Sequence, residues 1–405
     1  MKNKKITYKN FIHKKHLNLK MNKNLGNNFN KYIKKIYVNL DTTKDTFHSL
    51  SRKFKLNFKI DEIKKFKKFK TVTIIGMGGS ILGSKAIYYF LKKKIKKKFI
   101  FLDNIDENKI NNLKKKEDLK KILFIVISKS GETIETLSNL LSLQIIKKNS
   151  KNIIIISEKK NNPLHLLSKK MNLHLIEQKN FIGGRYSVFA EVGMLPAYLM
   201  GLNINEIKKN CLINFNLKNQ NFLKDSSVKL TNLLLTQKFN NLIFFNYVPQ
   251  LNKFLYWAQQ LIAESLGKKG KGFLPLVSEA PKDQHSLLQL YLDGPKDKIF
   301  YIFSSKKEDH IKLNAKVLGN EFNFLTNNSL NQIKNAQKNA FIKVLKKKKI
   351  PFREFKIEDF TEQAIGELFS YFILETALIG KLAKINPFDQ PAVEQVKIST
   401  KKILV

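Results

Sequence analysis

The chain has 405 residues, of which 43% are hydrophobic and 11% aromatic, and its formal net charge is +43. This length suggests two domains with terminal extensions, and the composition is that of a globular protein rather than a disordered one. No apolar run approaches the ~18–20 residues of a membrane-spanning helix, and no apolar stretch follows the basic N-terminus as in a secretory signal. Cys211 is the single cysteine, which excludes an internal disulfide framework and leads us to expect a cytoplasmic protein.

Lysine supplies nearly all of the positive charge. Only Arg52, Arg185 and Arg353 are arginines among the 75 basic residues. Proteins that read nucleic acids usually depend on the planar fork of arginine, and the lysines here are spread along the whole chain beside abundant Asn and Ile. We therefore interpret the charge as compositional drift that favours anionic substrates, and we expect no specific nucleic acid and no membrane as partner.

The N-terminal half contains the first of two alternating regions. Residues 1–60 are rich in Lys and Asn and are predicted to form an extension or a loosely packed helical cap. From Lys70 onward short apolar runs alternate with helical segments, which predicts a parallel sheet covered by helices on both faces. The predicted strands are Thr71–Ile75, Lys98–Leu102, Ile122–Ile127, Asn152–Ile156 and Leu173–Ile176. The predicted helices lie near 80–94, 107–119, 132–148 and 161–170.

A second alternating region follows the segment Ser187–Gly201, which is predicted to be a helix that joins the two halves. Its predicted strands are Leu242–Asn246, Lys298–Phe303 and Ile350–Phe355. Its predicted helices lie near 250–265, 308–319, 330–346 and 359–381. The pattern predicts an α/β protein with an αβα domain at 61–200, a second at 201–380, and a C-terminal tail at 381–405.

Two strand-to-helix turns carry the first chemical signal. In the first, a strand enters the glycine cluster of Gly76, Gly78 and Gly79, followed by Ser80. Glycines let backbone N–H groups converge on an anion at a helix N-terminus. The cluster lacks the third glycine of a dinucleotide-binding fingerprint, and Gly83-Ser84-Lys85 has the wrong order for a Walker loop. A phosphate cradle and a simple tight turn both remain open on this motif alone.

The second turn, Ser128-Lys129-Ser130-Gly131-Glu132-Thr133, also follows a buried strand. Its hydroxyl groups and its helix N-terminus can bind a phosphate without a metal, although helix capping by Ser130 or Thr133 would produce the same residues. Ligands of open α/β sheets bind beyond the carboxyl ends of the strands. Two such turns on one sheet therefore favour a shared phosphate site.

Five residues in the remainder of the chain are candidates for catalysis or substrate binding. Arg185 follows two glycines in a chain that otherwise avoids arginine, and a fixed guanidinium suits developing negative charge on a substrate oxygen. Glu264 ends a largely apolar helix, where partial burial would suit a general base. His285 could move a proton. Gln390 lies in the rigid turn Asn386–Pro391, and Lys397 follows it.

Together these segments closely resemble the glucose-6-phosphate isomerase family. The resemblance is carried, in the family's order, by Ile75–Leu82, Ile127–Thr136, Gly183–Gly201, Ala263–Lys268, Asp283–Pro295 and Asn386–Lys397. It implies two sugar-isomerase (SIS) type αβα domains, a homodimer, and an enzyme of glycolysis and gluconeogenesis that needs neither a metal nor an organic cofactor.

The resemblance also implies roles for individual residues. Glu264 resembles the base that moves a proton between C2 and C1, and Arg185 resembles the residue that stabilises the cis-enediolate. His285, reaching across from the partner subunit, and Lys397 resemble the ring-opening groups. The residues that resemble the substrate-binding set are Gly78, Gly79, Ser80, Ser128, Lys129, Ser130, Thr133 and Gln390.

Three alternatives stay open at the level of the sequence. A related isomerase that also accepts mannose 6-phosphate would carry the same motifs. A non-catalytic sensor of sugar phosphates could use the same domain, although residues 1–60 contain no clear helix-turn-helix module. A charge-driven nucleic-acid binder would bind with a steep dependence on salt.

Overall fold

The computed structural model describes residues 5–306 and 311–404, which form ten strands and fifteen α-helices. The strands are β1 (Ile6–Phe11), β2 (Thr71–Gly76), β3 (Lys98–Leu102), β4 (Ile122–Ile127), β5 (Ile153–Ser157), β6 (His174–Glu177), β7 (Asn241–Asn246), β8 (Leu274–Glu279), β9 (Lys298–Ser305) and β10 (Phe352–Ile357). The helices are α1 (Leu19–Asn39), α2 (Ile60–Lys64), α3 (Leu82–Phe90), α4 (Glu107–Lys116), α5 (Ile134–Ser142), α6 (Pro163–Lys170), α7 (Glu191–Leu199), α8 (Ile204–Lys209), α9 (Leu217–Thr236), α10 (Asn252–Leu266), α11 (Asp283–Ser286), α12 (Leu288–Asp293), α13 (Leu330–Lys347), α14 (Glu362–Leu382) and α15 (Pro391–Ile403).

The first sheet is parallel throughout and has the strand order β3-β2-β4-β5-β6. All six residues of β4 are buried, and successive residues face different cores: Phe124 and Val126 pack into one cluster, Leu123 and Ile125 into another. A strand can be apolar at every position only when helices cover both faces of its sheet. The predicted arrangement of this half therefore agrees with the structure.

The second sheet has the order β1-β10-β9-β7-β8, in which β1 is antiparallel to β10 and the other pairs are parallel. One face of this sheet joins the core that also contains one face of the first sheet. The sequence predicts an extension or a loosely packed helical cap for residues 1–60, whereas β1 completes this sheet and α1 packs against α9 and α14. Ile6 and Phe29 are completely buried, so this segment contributes apolar side chains to the core.

Two further details of the second half differ from the prediction. Strand β8 was not predicted, because Leu274 and Leu276 are exposed and Pro275 interrupts the pattern at this edge of the sheet. The helix predicted at 308–319 is wrong in its described part, where only the short 3₁₀ turn Lys316–Leu318 forms. Val317 and Leu318 are exposed, so no core supports a helix there. Residues 307–310 lie outside the described part of the chain.

The topology of the first sheet defines one crevice. The connection from β3 to β4 crosses β2, so the direction of winding reverses between β2 and β4. Gly76 at the end of β2 pairs in register with Ile127 at the end of β4. Both predicted phosphate turns therefore leave the sheet side by side at the reversal, where open α/β sheets bind their ligands. Within residues 5–306 and 311–404, no helix is both long and apolar enough to cross a membrane.

A fully buried ion pair stabilises the second half. Arg353 of β10 donates from Nη1 and Nη2 to the two oxygens of Glu375 on α14, at 3.0 and 2.8 Å, and Nη2 also donates to Tyr371 Oη at 2.6 Å. The guanidinium lies 4.3 Å from the ring centre of Tyr301. Such an ion pair adds little to the free energy of unfolding compared with an apolar pair of similar size. Losing one partner, however, leaves a buried charge uncompensated.

We expect Arg353→Met to lower the free energy of unfolding by about 3–5 kcal/mol, because Glu375 would remain buried without its counter-ion. The double variant Arg353→Met/Glu375→Leu should recover most of that loss, and Arg52→Met, at an exposed arginine, should change little. Chemical denaturation of the three variants measures these differences. Equal stability of Arg353→Met and the wild-type protein would contradict the assignment.

Candidate active site

The turn after β2 contacts the segment that precedes Arg185. Gly78–Ser80 forms a 3₁₀ turn, in which Gly78 adopts a φ of +51°. A Cβ at Gly79 would lie 2.2 Å from the carbonyl carbon of Gly184 and 2.4 Å from the backbone nitrogen of Arg185. Only glycine allows this approach, so the first predicted phosphate turn and Arg185 are held next to each other by backbone contact.

We expect Gly79→Ala to lower both the predicted isomerase activity and the melting temperature, because the methyl group would separate the turn from Arg185. Gly184→Ala is the matched control, since its Cβ would meet no atom closer than 3.9 Å. Differential scanning fluorimetry and a coupled isomerase assay on both variants test the contact. A Gly79→Ala protein that behaves like Gly184→Ala would contradict it.

The turn after β4 has its hydroxyl groups organised by internal hydrogen bonds. Ser128 Oγ lies 2.9 Å from Thr133 Oγ1 and accepts from the backbone N–H of Gly131 at 3.1 Å. Ser130 is exposed, and Lys129 donates from Nζ to the carbonyl of Asn180 at 2.7 Å. Lys129 also lies 3.5 Å from the carboxylate of Glu158. The turn thus offers hydroxyl and backbone donors at the N-terminus of α5.

Arg185 is the centre of the site. Its side chain is only 3% exposed, and all five N–H donors are engaged. Nε donates to Ser265 Oγ at 2.9 Å, and Nη1 donates to Glu264 Oε2 at 3.1 Å and Gln390 Oε1 at 2.9 Å. Nη2 donates to the carbonyls of Pro387 and Asp389 at 2.8 and 2.9 Å. A planar fork can serve partners in these several directions, whereas an ammonium group cannot.

Glu264 occupies the last turn of α10 and is half-buried. One carboxylate oxygen accepts from Arg185, and the other accepts from Gln260 Nε2 at 2.8 Å. The two donors fix the orientation of the carboxylate. A cavity of ≈ 550 Å³ lies beside it, lined by Gly78, Gln260 and Glu264 among others, a size that suits a phosphorylated sugar.

Tyr186 and Ser265 contact the guanidinium of Arg185 and help to fix its position. Burial raises the pKa of Tyr186 to about 12, although the neighbouring Arg185 opposes that shift. The neutral phenol donates to the carbonyl of Pro387 at 3.0 Å, and its oxygen lies 2.8 Å from Ser265 Oγ. Ser265 therefore donates to Tyr186 while it accepts from Arg185.

The turn that carries Gln390 is fastened by a second cation. Lys268 donates to the carbonyl of Asn386 at 2.5 Å and lies 2.8 Å from the carboxylate of Asp389. The hydrogen bond from Lys268 lowers the pKa of Asp389. Lys268 and Arg185 thus join the C-terminal segment to the end of α10.

The structure brings together three of the five residues proposed for catalysis or binding beyond the phosphate turns: Arg185, Glu264 and Gln390. His285 lies on the short helix α11 with an exposed side chain. Lys397 is exposed on α15 and pairs with Glu394 at 2.6 Å. The described contacts place neither of them against Glu264.

Sequence reasoning missed Gln260, which orients Glu264, and the pair of Tyr186 and Ser265, which holds Arg185. A signal for Gln260 exists, because residues four apart on a helix share a face and Gln260 precedes Glu264 by four. Nothing in the local sequence indicates the contact between Ser265 and Arg185, which are far apart along the chain.

The comparisons with known proteins agree with this geometry. A family model described as Phosphoglucose isomerase matches residues 26–405. The chain belongs to the phosphoglucose isomerase family. A curated glucose-6-phosphate isomerase from Methanocaldococcus jannaschii is 33% identical over 348 residues, which cover 84% of this chain and 85% of that protein.

Two solved structures share the fold. A hypothetical protein from Thermus thermophilus matches with a TM-score of 0.80 at 22% identity, over 98% of this chain and 100% of that one. A glucose-6-phosphate isomerase from Chlamydia trachomatis matches with a TM-score of 0.68 at 21% identity, over 85% of this chain and 72% of that one. The predicted family, the α/β fold with parallel sheets of the SIS type, and the class of aldose-ketose isomerase are confirmed.

Proposed function

We propose that the protein interconverts glucose 6-phosphate and fructose 6-phosphate, a step of glycolysis and gluconeogenesis, with Glu264 as the base. The observation that carries this proposal is the half-buried carboxylate of Glu264, fixed by Arg185 and Gln260 beside a cavity that reaches the first glycine turn. A carboxylate oriented in this way can accept a proton from a carbon atom adjacent to a carbonyl group.

The phosphate of the substrate is bound by the two turns at the reversal of the first sheet. Gly78, Gly79 and Ser80 supply donors from the turn after β2, and Ser128, Lys129, Ser130 and Thr133 supply them from the turn after β4. Binding energy from the phosphate positions the reacting carbons, which lie at the other end of the sugar.

Proton transfer then occurs between neighbouring carbons. Glu264 removes the proton from C2 of the open-chain aldose and returns it to C1, while the hydroxyl proton on O2 passes to O1, and these two transfers produce the ketose. The intermediate cis-enediolate carries negative charge on oxygen. All five donors of Arg185 are engaged, so the substrate oxygen replaces Gln390 at Nη1 or shares that group with it. The fixed positive charge stabilises the intermediate in either arrangement.

Ring opening precedes this step and requires a proton donor and a proton acceptor. We assign it to Lys397 and to His285 of a second subunit, so that the working enzyme is a homodimer. The exposure of both side chains in the single chain supports this assignment, since an exposed group is accessible to a partner subunit. The proposal also includes a cytoplasmic location and domain boundaries near residues 61, 201 and 381.

The test is a coupled assay in which purified protein converts fructose 6-phosphate to glucose 6-phosphate in the presence of a metal chelator. We expect full activity with the chelator, since hydroxyl, amide and lysine groups bind the phosphate. A protein that binds fructose 6-phosphate without turning it over would instead be a sensor. A parallel assay with mannose 6-phosphate separates a strict glucose-6-phosphate isomerase from a broader one.

A further inference from the structure

A small cavity of ≈ 160 Å³ lies at the amino ends of β9 and β10, in the second sheet. Four connections of the chain form its wall: the segment after β1, the loop before β7, the loop from α12 to β9, and the loop from α13 to β10. Its apolar wall residues are Phe239, Tyr291, Pro295, Ile350 and Pro351. Its basic wall residues are Lys15, His16, Lys296, Lys298, Lys348 and Lys349. All of them belong to the described part of the chain, and none is acidic.

The apolar part of the cavity suits a single aromatic ring. Phe239 and Tyr291 are each only 5% exposed, and Pro351 is buried. The ring of His16 meets that of Phe239 edge to face, with ring centres 5.1 Å apart. Aromatic walls complement another ring, and an apolar cavity of ~150 Å³ holds one benzene molecule. The volume is well below the ~300 Å³ at which ordinary small-molecule sites begin, so a phosphorylated sugar or a nucleotide does not fit.

Two of the lysines are held by the protein itself. Lys296 donates to the carbonyl of Leu292 at 2.8 Å. Lys298 is 7% exposed, donates to the carbonyl of Pro295 at 2.8 Å, and lies 2.8 Å from the carboxylate of Asp297. These two lysines therefore shape the wall between α12 and β9.

The other three lysines, Lys15, Lys348 and Lys349, place positive charge at the mouth of the cavity. Their side chains are exposed, and within residues 5–306 and 311–404 none of them forms a salt bridge. The pKa of His16 reflects this environment. Burial lowers it and the charge of Lys15 lowers it further, although the hydrogen bond from Nε2 to the carbonyl of Lys349, at 2.8 Å, opposes the shift. An anion at the mouth would meet positive side chains from two separate segments.

Helix capping does not account for the lysines at the end of α13. Lysine side chains near the end of a helix often serve its last carbonyl groups. Here those carbonyls accept from the backbone N–H groups of Lys348, Lys349 and Ile350, at 2.9, 3.1 and 2.9 Å. The side chains of Lys348 and Lys349 are therefore available to a ligand.

We propose that this cavity binds a small aromatic carboxylate. The ring of the ligand lies against Phe239 and Tyr291, and its carboxylate lies among Lys15, Lys348 and Lys349. Burial of the ring stabilises the complex, and the three lysines select an anion over a neutral ring of the same shape. The site is separate from the proposed active site, which lies at the carboxyl ends of the first sheet, and it does not depend on the function proposed above.

NMR titration of the full-length protein with benzoate tests the site. Benzyl alcohol keeps the ring without the charge, and acetate keeps the charge without the ring. We expect saturable binding of benzoate, with an affinity at least about tenfold higher than that of either comparison compound. Saturating fructose 6-phosphate should not displace the benzoate.

Two variants separate the contributions of charge and shape. Lys15→Gln/Lys349→Gln should weaken benzoate at least about tenfold and leave benzyl alcohol unchanged. Ile350→Phe, which adds a ring to the wall, should weaken both compounds. Lys20→Gln/Lys343→Gln is the matched control, because it removes the same charge from exposed positions that do not line the cavity. We expect this control to bind benzoate as the wild-type protein does, and thermal melts establish that each variant is folded.

Three results would overturn the proposal. The first is the lack of saturable benzoate binding to the wild-type protein. The second is displacement of benzoate by fructose 6-phosphate, which would place the compound in the active site. The third is an equal loss of affinity in Lys15→Gln/Lys349→Gln and in Lys20→Gln/Lys343→Gln, since it would indicate general attraction to a basic protein.

Discussion

Replacing Glu264 by glutamine is expected to lower turnover of fructose 6-phosphate at least about 10²-fold, the low end for loss of a general base. The amide has nearly the same shape as the carboxylate but cannot accept the proton from carbon. Arg185 can still donate to its oxygen. Gln260 can rotate its own amide to present Oε1, which has no hydrogen-bond partner among the described residues. The variant should therefore fold normally and bind substrate with little change in KM.

Steady-state kinetics in both directions, together with a thermal melt, measure this effect. Glu62→Gln serves as the control, because it removes one exposed carboxylate from α2 and should leave kcat unchanged. A Glu264→Gln enzyme with wild-type kcat would rule out Glu264 as the base. A fall in kcat accompanied by a large fall in melting temperature would point to a structural role instead.

Replacing Arg185 by lysine should be nearly as damaging, with a loss in kcat/KM of about 10²–10³-fold, the range for removing one donor to a developing oxyanion. Lysine keeps the charge, but one ammonium group cannot reach Ser265, Glu264 and the carbonyl of Pro387 together. The variant should also loosen the C-terminal segment, since three of the five hydrogen bonds end on the turn before α15.

Limited proteolysis measures that second effect, and we expect faster cleavage between Asn386 and Pro391 in Arg185→Lys. Arg52→Lys is the control for the same chemical change at an exposed arginine and should resemble the wild-type protein in both assays. Wild-type kinetics in Arg185→Lys would show that charge alone is sufficient. An unchanged cleavage rate would mean that Lys268 is enough to hold the turn.

The sequence predicts the strands that are buried on both faces, because such strands have a continuous run of apolar residues. Strand β4 was predicted with its observed limits, because all six residues are buried. Strand β1 is not predicted from the sequence, because Thr7, Lys9 and Asn10 interrupt its apolar residues and its partner β10 is distant in the sequence. The helix predicted at 308–319 has the right periodicity, but in its described part Val317 and Leu318 are exposed, since a local pattern does not reveal what lies opposite.

For the site, residue types were predictable and their contacts were not. The scarcity of arginine identified Arg185 as unusual, and the structure explains why lysine could not replace it there or at Arg353: both are buried and donate in several directions. The orientation of Glu264 by Arg185 and Gln260 depends on how α10 meets the segment before α7. This contact between α10 and that segment is a tertiary contact, and the local sequence does not indicate it.

The pairing of β1 with β10 has a consequence for biosynthesis. Ile6 pairs with Ile357, so β1 must wait until all the residues between it and β10 have been synthesised before its neighbour exists. At ordinary rates of translation this delay is on the order of tens of seconds, during which residues 71–177 can complete their own sheet. Throughout that time β1 is an unpaired strand exposed to other nascent chains, and the edge of β10 is covered only once β1 pairs with it.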